Sequence, residues 1–391
     1  MNIDRRLDCY CIDFGRGAEQ ELLQEVKDME ENSDWVPGIV SSAMELEAID
    51  GPLFAKDVSD RCHVNYELAL DTADSGSKLI LNTGYEYKLL RETARTSLCE
   101  TAKLFGSALG RMTPYLFSET INNGLHVAKG TTLMLMRYGK ASALHSNAEG
   151  GYQVMPISEL LEIVINMIQK RFGTGDFIRG YNSHSLTTAL WELPDAQDRL
   201  LKVYQNALNS AGVASRYPVN YMPAIRFASS DTAACCATLD PVFYVAKTNV
   251  ALTFVDGVRI KHTKRGQTGD LMELFAEQAD GLFAKFEESA DVIAKLASIE
   301  IHNGCNAVVS LCSKFGIAKK YGEAARVEME HLTAGGSSVT AHDLYICMSE
   351  AVAEAERCNA SPKVIRDMEE ALAKIPHVDW AEHDRGGIVA W

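Results

Sequence analysis

The stretch Thr131-Thr132-Leu133-Met134-Leu135-Met136-Arg137-Tyr138-Gly139-Lys140-Ala141-Ser142-Ala143-Leu144-His145-Ser146 decides the fold. A β-branched start followed by Leu and Met suits a pleated, half-buried surface. Only Gly139-Lys140 separates this run from a second apolar one, so the spacing predicts a hairpin of residues 131–138 and 141–146. Strands joined by so short a turn run antiparallel. Working outward, Asn147 to Gly151 reads as a second turn and Tyr152-Gln153-Val154-Met155 as a third strand ending at Pro156. Before the hairpin, Asn122-Asn123-Gly124 reads as a turn. Leu89, Leu90, Ala94, Leu98, Ala102, Phe105 and Leu109 form a stripe that predicts one long helix from Tyr87 to Leu109. After it, Glu159 to Phe172 is helical and stops at Gly173.

Further along, a helix runs from about Ala196 to Gly212, and a second β-rich stretch follows from Arg216 to His262. Within it Asp256-Gly257 predicts a hairpin between residues 251–255 and 258–262. After Gly269 the apolar steps of three and four predict helices over 271–297, 308–315, 323–331, 340–357 and 362–375. Thr340-Ala341-His342-Asp343 has the form of a capping box, and Ser361-Pro362 places a cap before an N1 proline. The first eighty residues hold a helix from Glu19 to Glu31 among turns, and Asp13-Phe14-Gly15-Arg16-Gly17 is one of these rather than a phosphate loop. The fold class is α+β: an antiparallel β-rich centre interleaved with helices, and a helical C-terminal region. With 391 residues the chain has length for two or three folding units. We expect a mixed layer over 1–86, a central α+β domain over 87–268 and the helical region over 269–391.

With 47% hydrophobic and 23% charged residues the chain is of globular composition, which excludes a disordered scaffold. It has no run of about 18 apolar residues, and its first residues lack the apolar core of a signal peptide. The expectation is a cytoplasmic protein with no membrane partner. Ten cysteines scattered over this length are expected to be reduced. Cys9-Tyr10-Cys11 and Cys235-Cys236 lack the spacer that lets two thiolates share a zinc ion. A net charge of −15 argues against whole-surface DNA binding and leaves room only for a local basic patch.

That patch is Val258-Arg259-Ile260-Lys261-His262-Thr263-Lys264-Arg265. In an extended segment the two-residue period puts Arg259, Lys261 and Arg265 on one face and His262 and Lys264 on the other. Cations in such a row suit a phosphate backbone, so Arg259, Lys261, Lys264 and Arg265 are the candidate nucleic-acid contacts. The same residues also suit a solvated edge strand guarded against aggregation. Lys170-Arg171 and Lys319-Lys320 are the stretches that folding could add to the patch. His377, Asp379, His383 and Asp384 lie close enough in sequence to be weak candidates for a metal site. A polar tail anchored by Trp380 and Trp391 explains them equally well. We find no catalytic signature and no cofactor motif.

Several of these stretches resemble a known family. Residues 133–146 leading into 152–161, then 226–232, Thr248-Asn249, 258–265, 340–345 and 379–384, are similar to the phage- and plasmid-encoded proteins of domain-of-unknown-function family 932, over roughly residues 87 to 391. The resemblance implies an accessory product of a phage or mobile element and brings no established reaction. Residues 87–172, as helix, antiparallel strands and helix, are also similar in order to the core of single-strand annealing proteins. The functional expectation is a non-enzymatic protein that binds nucleic acid, single-stranded DNA in particular, during replication, recombination or host takeover. The alternative is a protein-interaction factor, either counter-defence or self-assembling, with a host or phage protein as partner. A homo-oligomer is expected in either case.

Overall fold

The computed structural model describes residues 4–146, 151–211, 221–245, 248–263, 270–334, 338–387, 389 and 391. The chain opens with strand β1 (Cys11–Phe14), helix α1 (Glu19–Glu31) and strands β2 (Ser33–Val40) and β3 (Glu45–Ala48). Helices α2 (Ala55–Cys62) and α3 (Tyr66–Leu70) lead to β4 (Leu79–Asn82) and β5 (Tyr87–Leu90). Helices α4 (Ala94–Thr101) and α5 (Pro114–Val127) then precede the hairpin β6 (Thr131–Arg137) and β7 (Lys140–Ser146). Six of these strands form one sheet in the order β2-β6-β7-β5-β4-β3, antiparallel except where β5 meets β7. The boundary expected at residues 86 and 87 falls in the turn between β4 and β5, inside this sheet.

The hairpin forms where its composition places it, but its turn is Tyr138-Gly139 rather than Gly139-Lys140, and Lys140 belongs to β7. Tyr138 and Gly139 have positive φ, 49° and 81°, as a type I′ turn requires. The long helix expected from Tyr87 to Leu109 is instead β5 followed by α4. Leu89 and Leu90 bury on opposite faces of the sheet, Leu89 against α2 and α3 and Leu90 against α4 and α5. A two-residue alternation had been folded into a helical stripe. Asn122-Asn123-Gly124 is not a turn but part of α5. Asn122 there exchanges hydrogen bonds of 2.7 and 2.9 Å with both backbone groups of Leu46. Gly124 lets α5 come so close to α4 that an added Cβ would stand 2.8 Å from the Ala102 carbonyl oxygen.

After helix α6 (Ile157–Phe172) come β8 (Asp176–Ser183), β9 (Thr187–Glu192), α7 (Gln197–Ser210), β10 (Tyr221–Ser229), β11 (Ala237–Val245), β12 (Val250–Leu252) and β13 (Val258–Ile260). With β1 they make an antiparallel sheet in the order β1-β8-β9-β10-β11-β12, with β13 also on β11. Two sequence expectations change here. Residues 152–155 form no strand and contribute a single bridge, Tyr152 to Thr263. Likewise β12 and β13 do not pair with each other; they lie end to end along β11, on residues 243–245 and 237–239. Gly257 is therefore required by close approach rather than by a turn, since a Cβ would fall 2.3 Å from the Leu239 carbonyl oxygen.

The C-terminal region is helical: α8 (Leu271–Asp280), α9 (Leu282–Ser298), α10 (Gly304–Phe315), α11 (Lys319–Leu332), α12 (Ala341–Arg357) and α13 (Pro362–Leu372), with the small strands β14 (Glu300–Ile301) and β15 (Val339–Thr340) pairing between them. The capping box of Thr340 and Asp343 is present, and Ser361 caps α13. The single helix expected over 271–297 breaks at Gly281. Ile225, Phe227 and Phe243 of the second sheet bury one face against α6, α7, α8 and α9. The other face carries Arg226, Asp240 and a smaller apolar set around Leu190 and Val242. Among the described residues no helix is long and apolar enough to cross a membrane, and all ten cysteines are free.

Candidate nucleic-acid interface

The two sheets meet over buried charge. Arg91 just after β5, Arg137 at the end of β6 and Lys140 at the start of β7 are at most 1% exposed. Their counter-ions come from elsewhere in the chain. Asp8 takes Arg91 at 3.1 Å and Lys140 at 2.9 Å, Asp71 takes Lys140, and Asp231 takes Arg137 at 2.8 Å. Burial lowers Arg91 to about 10, so it stays charged at neutral pH. Arg137 also donates to the His184 carbonyl at 3.2 Å, which ties the first sheet to the second. None of these residues has a local sequence signal, because each pair joins segments far apart in the chain.

Asp231 opens the loop from β10 to β11, and its carbonyl organises a cleft. His145 Nε2, from β7, lies 2.8 Å from that oxygen. A carbonyl only accepts, so Nε2 carries the proton. Tyr152 Oη donates to the same oxygen at 3.4 Å. The Tyr152 ring lies on His145 with centroids 3.7 Å apart at 6°, and on His262 at 5.3 Å and 10°. Trp35 of β2 stands 5.4 Å from Tyr152. Backbone bonds from Tyr152 to Ser146 and from Gln153 to His262 pin this tier of rings to both sheets. Burial pushes His145 down to about 4 and lowers His262, so both imidazoles are neutral at pH 7. It also holds the Tyr152 hydroxyl well above its ordinary range, as a phenol.

The cleft, about 450 Å³, is lined by the three rings and by Ser230, Cys235 and Cys236 of the loop. Burial pushes the Cys235 thiol up to about 12, which makes it a poor nucleophile. Two exposed lysines from distant segments also line it: Lys103, just past α4 with φ 57°, and Lys261, just past β13. Among the described residues neither has an ion-pair partner. Among the described residues Glu100 is the one carboxylate in the lining; burial raises its pKa and the charge of Lys103 opposes that. His262 is 6% exposed and lines the cleft; both ring nitrogens are buried and make no aligned hydrogen bond among the described residues, while Asp231 and the Gln153 backbone oppose the effect of burial on the ring.

Arg259 and Lys261 share the outward face of the β13 segment and His262 turns inward, as the two-residue period predicts. The two cations differ in freedom. Arg259 lies 3.4 Å from Asp240, which also takes Arg226, whereas Lys261 stands at the cleft. Lys264 and Arg265 lie outside the described residues. Lys170 and Arg171 both pair with Asp280. The tail residues do not converge. His377 is exposed, Asp379 caps Ala381, His383 sits between Ser310 and Lys314, and Asp384 accepts from the backbone of His302 and Asn303. No group of three potential ligands forms among the described residues. Sequence reasoning missed His145, Tyr152 and Lys103, whose only link to His262 is tertiary.

A second cavity, about 290 Å³, lies on the other face of the second sheet under α12 and α13. Arg226 there lies 3.1 Å from Asp240, and its Nη1 is 2.9 Å from Glu369, an ion pair rather than an aligned hydrogen bond. Arg179 lies 2.6 Å from Glu356 and 3.4 Å from Glu369. Burial acts to lower Arg226, and Glu369 and Asp240 outweigh it, so the guanidinium stays charged. No protein-family model, curated protein or solved structure matches the chain.

Proposed function

We propose that this protein binds single-stranded nucleic acid, without acting on it chemically, at the cleft where its two sheets meet. The observation that carries this reading is the convergence of Lys103 and Lys261, neither in an ion pair among the described residues, on one cleft walled by His145, Tyr152 and His262. Lysines neutralise phosphates, and aromatic rings accept unstacked bases whatever their sequence. A ring wall inside a cleft of this size is reachable by a base from a single strand and not by a base held in a duplex. The net charge of −15 repels nucleic acid elsewhere and confines binding to this site. The resemblance to phage- and plasmid-encoded proteins supplies a setting in replication or recombination, where exposed single strands arise.

Fluorescence anisotropy with labelled single-stranded DNA, single-stranded RNA and duplex DNA, from about 50 to 200 mM salt, tests the reading. Single strands are expected to bind more tightly than duplex and to weaken as salt rises. Reversing both lysines, Lys103→Glu with Lys261→Glu, is expected to cost about tenfold or more in affinity and to flatten the salt slope by about 1.4. Arg259→Glu, already neutralised by Asp240, is expected to cost less than the Lys261→Glu change. No binding at about 50 mM salt, or binding indifferent to the double reversal, overturns the proposal.

A further inference from the structure

We propose that Phe105 is a stacking platform on which the bound strand lays a base, in a groove that adjoins the cleft. The proposal rests on the binding reading above and extends the path of the strand beyond the two lysines. It starts from the way α4 ends. Lys103 N donates to the Glu100 carbonyl at 3.1 Å, and Leu104 N to the Cys99 carbonyl at 2.9 Å. These two bonds are the Schellman pattern, in which the left-handed residue is usually glycine. Here it is Lys103, with φ 57°. A side chain is unfavourable in that conformation, and residues held so cluster at functional sites. Leu104 then turns inward and packs on the core of α4 and α5, with its Cδ1 3.0 Å from where a Cβ on Gly124 would stand. That contact anchors the turn and leaves Lys103 and Phe105 exposed on either side of it. Phe105 is 76% exposed.

The ring is placed to meet what the lysine holds. Lys103 lines the cleft, and Phe105 lines a groove of about 370 Å³ between α4 and residues 104–110. Glu100 lines both, so the two adjoin. The one arginine in the groove lining among the described residues is already engaged: Arg95 lies 4.1 Å over the Phe117 ring and pairs with Glu92 at 3.2 Å. Glu92 and Glu100 also line the groove, and two carboxylates beside one paired arginine repel a phosphate. A strand with a phosphate at Lys103 therefore offers the groove a base and keeps its backbone outside. An open aromatic face accepts that base without any hydrogen bond to match, as sequence-tolerant single-strand binding requires. An exposed apolar ring also suits contact with a second copy of the chain, so the test separates the two.

The experiment measures the binding of a thymidine oligonucleotide, and of one of equal length carrying abasic sites, to the full protein and to its Phe105→Leu and Phe105→Trp variants. Phe105→Leu keeps apolar bulk and loses the flat face. It is expected to bind the thymidine strand about fivefold or more weakly. Its affinity for the abasic strand and its salt slope are expected to match the wild type, because no charge is altered. Phe105→Trp is expected to keep wild-type affinity and to lose emission on binding the thymidine strand, beyond any change in the wild-type protein, but not on binding the abasic one. As the ring is exposed, both variants are expected to unfold at the wild-type urea midpoint. Wild-type affinity of Phe105→Leu for the thymidine strand overturns the platform and leaves the binding reading standing. An equal loss on both strands also overturns it. A lower mass in light scattering for Phe105→Leu, with thymidine affinity unchanged, gives the ring to contact between copies instead. Failure of the wild-type protein to bind any strand overturns both readings.

Discussion

In the cavity on the outer face of the second sheet each of Arg179 and Arg226 meets two carboxylates, whereas in the cleft between the sheets Lys103 and Lys261 form no ion pair among the described residues, and Glu100 acts on Lys103 only through its field. The first arrangement is closed. Arg226 and Arg179, on strands, hold Glu369 and Glu356, on helices, so the network fastens α13 and the end of α12 to the sheet. The second is open, with two exposed lysines at its rim. A cavity of either kind can be found by volume. What separates a structural cavity from a binding one is whether the polar groups in it are already satisfied.

The sharpest way to break this contrast is to open the closed network. Arg226→Ala leaves Asp240 and Glu369 buried, and Glu369 keeps only the 3.4 Å contact to Arg179. Removing one partner of a buried pair strands the other, so the expected loss of stability in urea denaturation is about 3–5 kcal/mol. Oligonucleotide affinity, corrected for the folded fraction, is expected to stay within about twofold. A loss under about 1 kcal/mol, or a matching loss of binding, breaks the distinction between the two cavities.

Acid probes the other side of the contrast, because among the described residues the charge-paired cavity has no histidine in its lining while the junction of the sheets has several. Burial pushes His145 down to about 4 and, with Arg91 and Arg137 adding to it, His184 to about 2. A histidine neutral in the fold takes up a proton first in the unfolded chain. Its stabilisation is therefore complete above about pH 7 and is lost as pH falls below 6.5 toward the folded value. Between pH 8 and 5 this is worth about 2 kcal/mol for each of the two. Glu30, Glu92 and Glu100, raised by burial, act in the opposite sense near the acid end. The decisive reading is therefore a difference: His184→Asn is expected to flatten the stability profile from pH 8 to 5 by about 2 kcal/mol. An unchanged profile contradicts a neutral, buried His184.

A third change acts at Gly257, which backs onto the closed network. A Cβ there would stand 2.3 Å from the Leu239 carbonyl oxygen and 2.6 Å from Asp240 Oδ1, the acid shared by Arg226 and Arg259. Gly257→Ala is expected to cost about 1–3 kcal/mol in urea denaturation, as overpacking does, with binding at the cleft retained. Gly257 does not have the left-handed φ that an Asp-Gly hairpin turn requires, so the cost comes from this contact and not from backbone strain.

What could be read from the sequence was local. The hairpin over 131–146, the capping box at Thr340 and Asp343, the Ser361 cap and the shared face of Arg259 and Lys261 all follow from neighbours a few residues apart. What could not be read was contact at a distance. Leu89 and Leu90 look helical until the two layers they separate are known. The cleft joins Lys103, His145, Tyr152 and His262 from four segments, and only Lys261, beside His262, was singled out in advance as a contact. The tail shows the converse error: His377, Asp379, His383 and Asp384 are adjacent in sequence, yet most are spent on caps and on Ser310 and Lys314, so adjacency built no site.

The smallest effect on stability should come from His262, in the lining of the open cleft. His262→Phe removes two buried polar atoms that make no aligned hydrogen bond among the described residues, and it keeps an aromatic ring against Tyr152. Deleting unsatisfied groups in favour of an apolar ring is close to neutral or stabilising, so urea denaturation is expected to move by less than about 1 kcal/mol, toward greater stability. A loss of more than about 2 kcal/mol would mean that the His262 nitrogens support the fold as Arg226 does, and the cleft would belong with the closed cavity rather than against it.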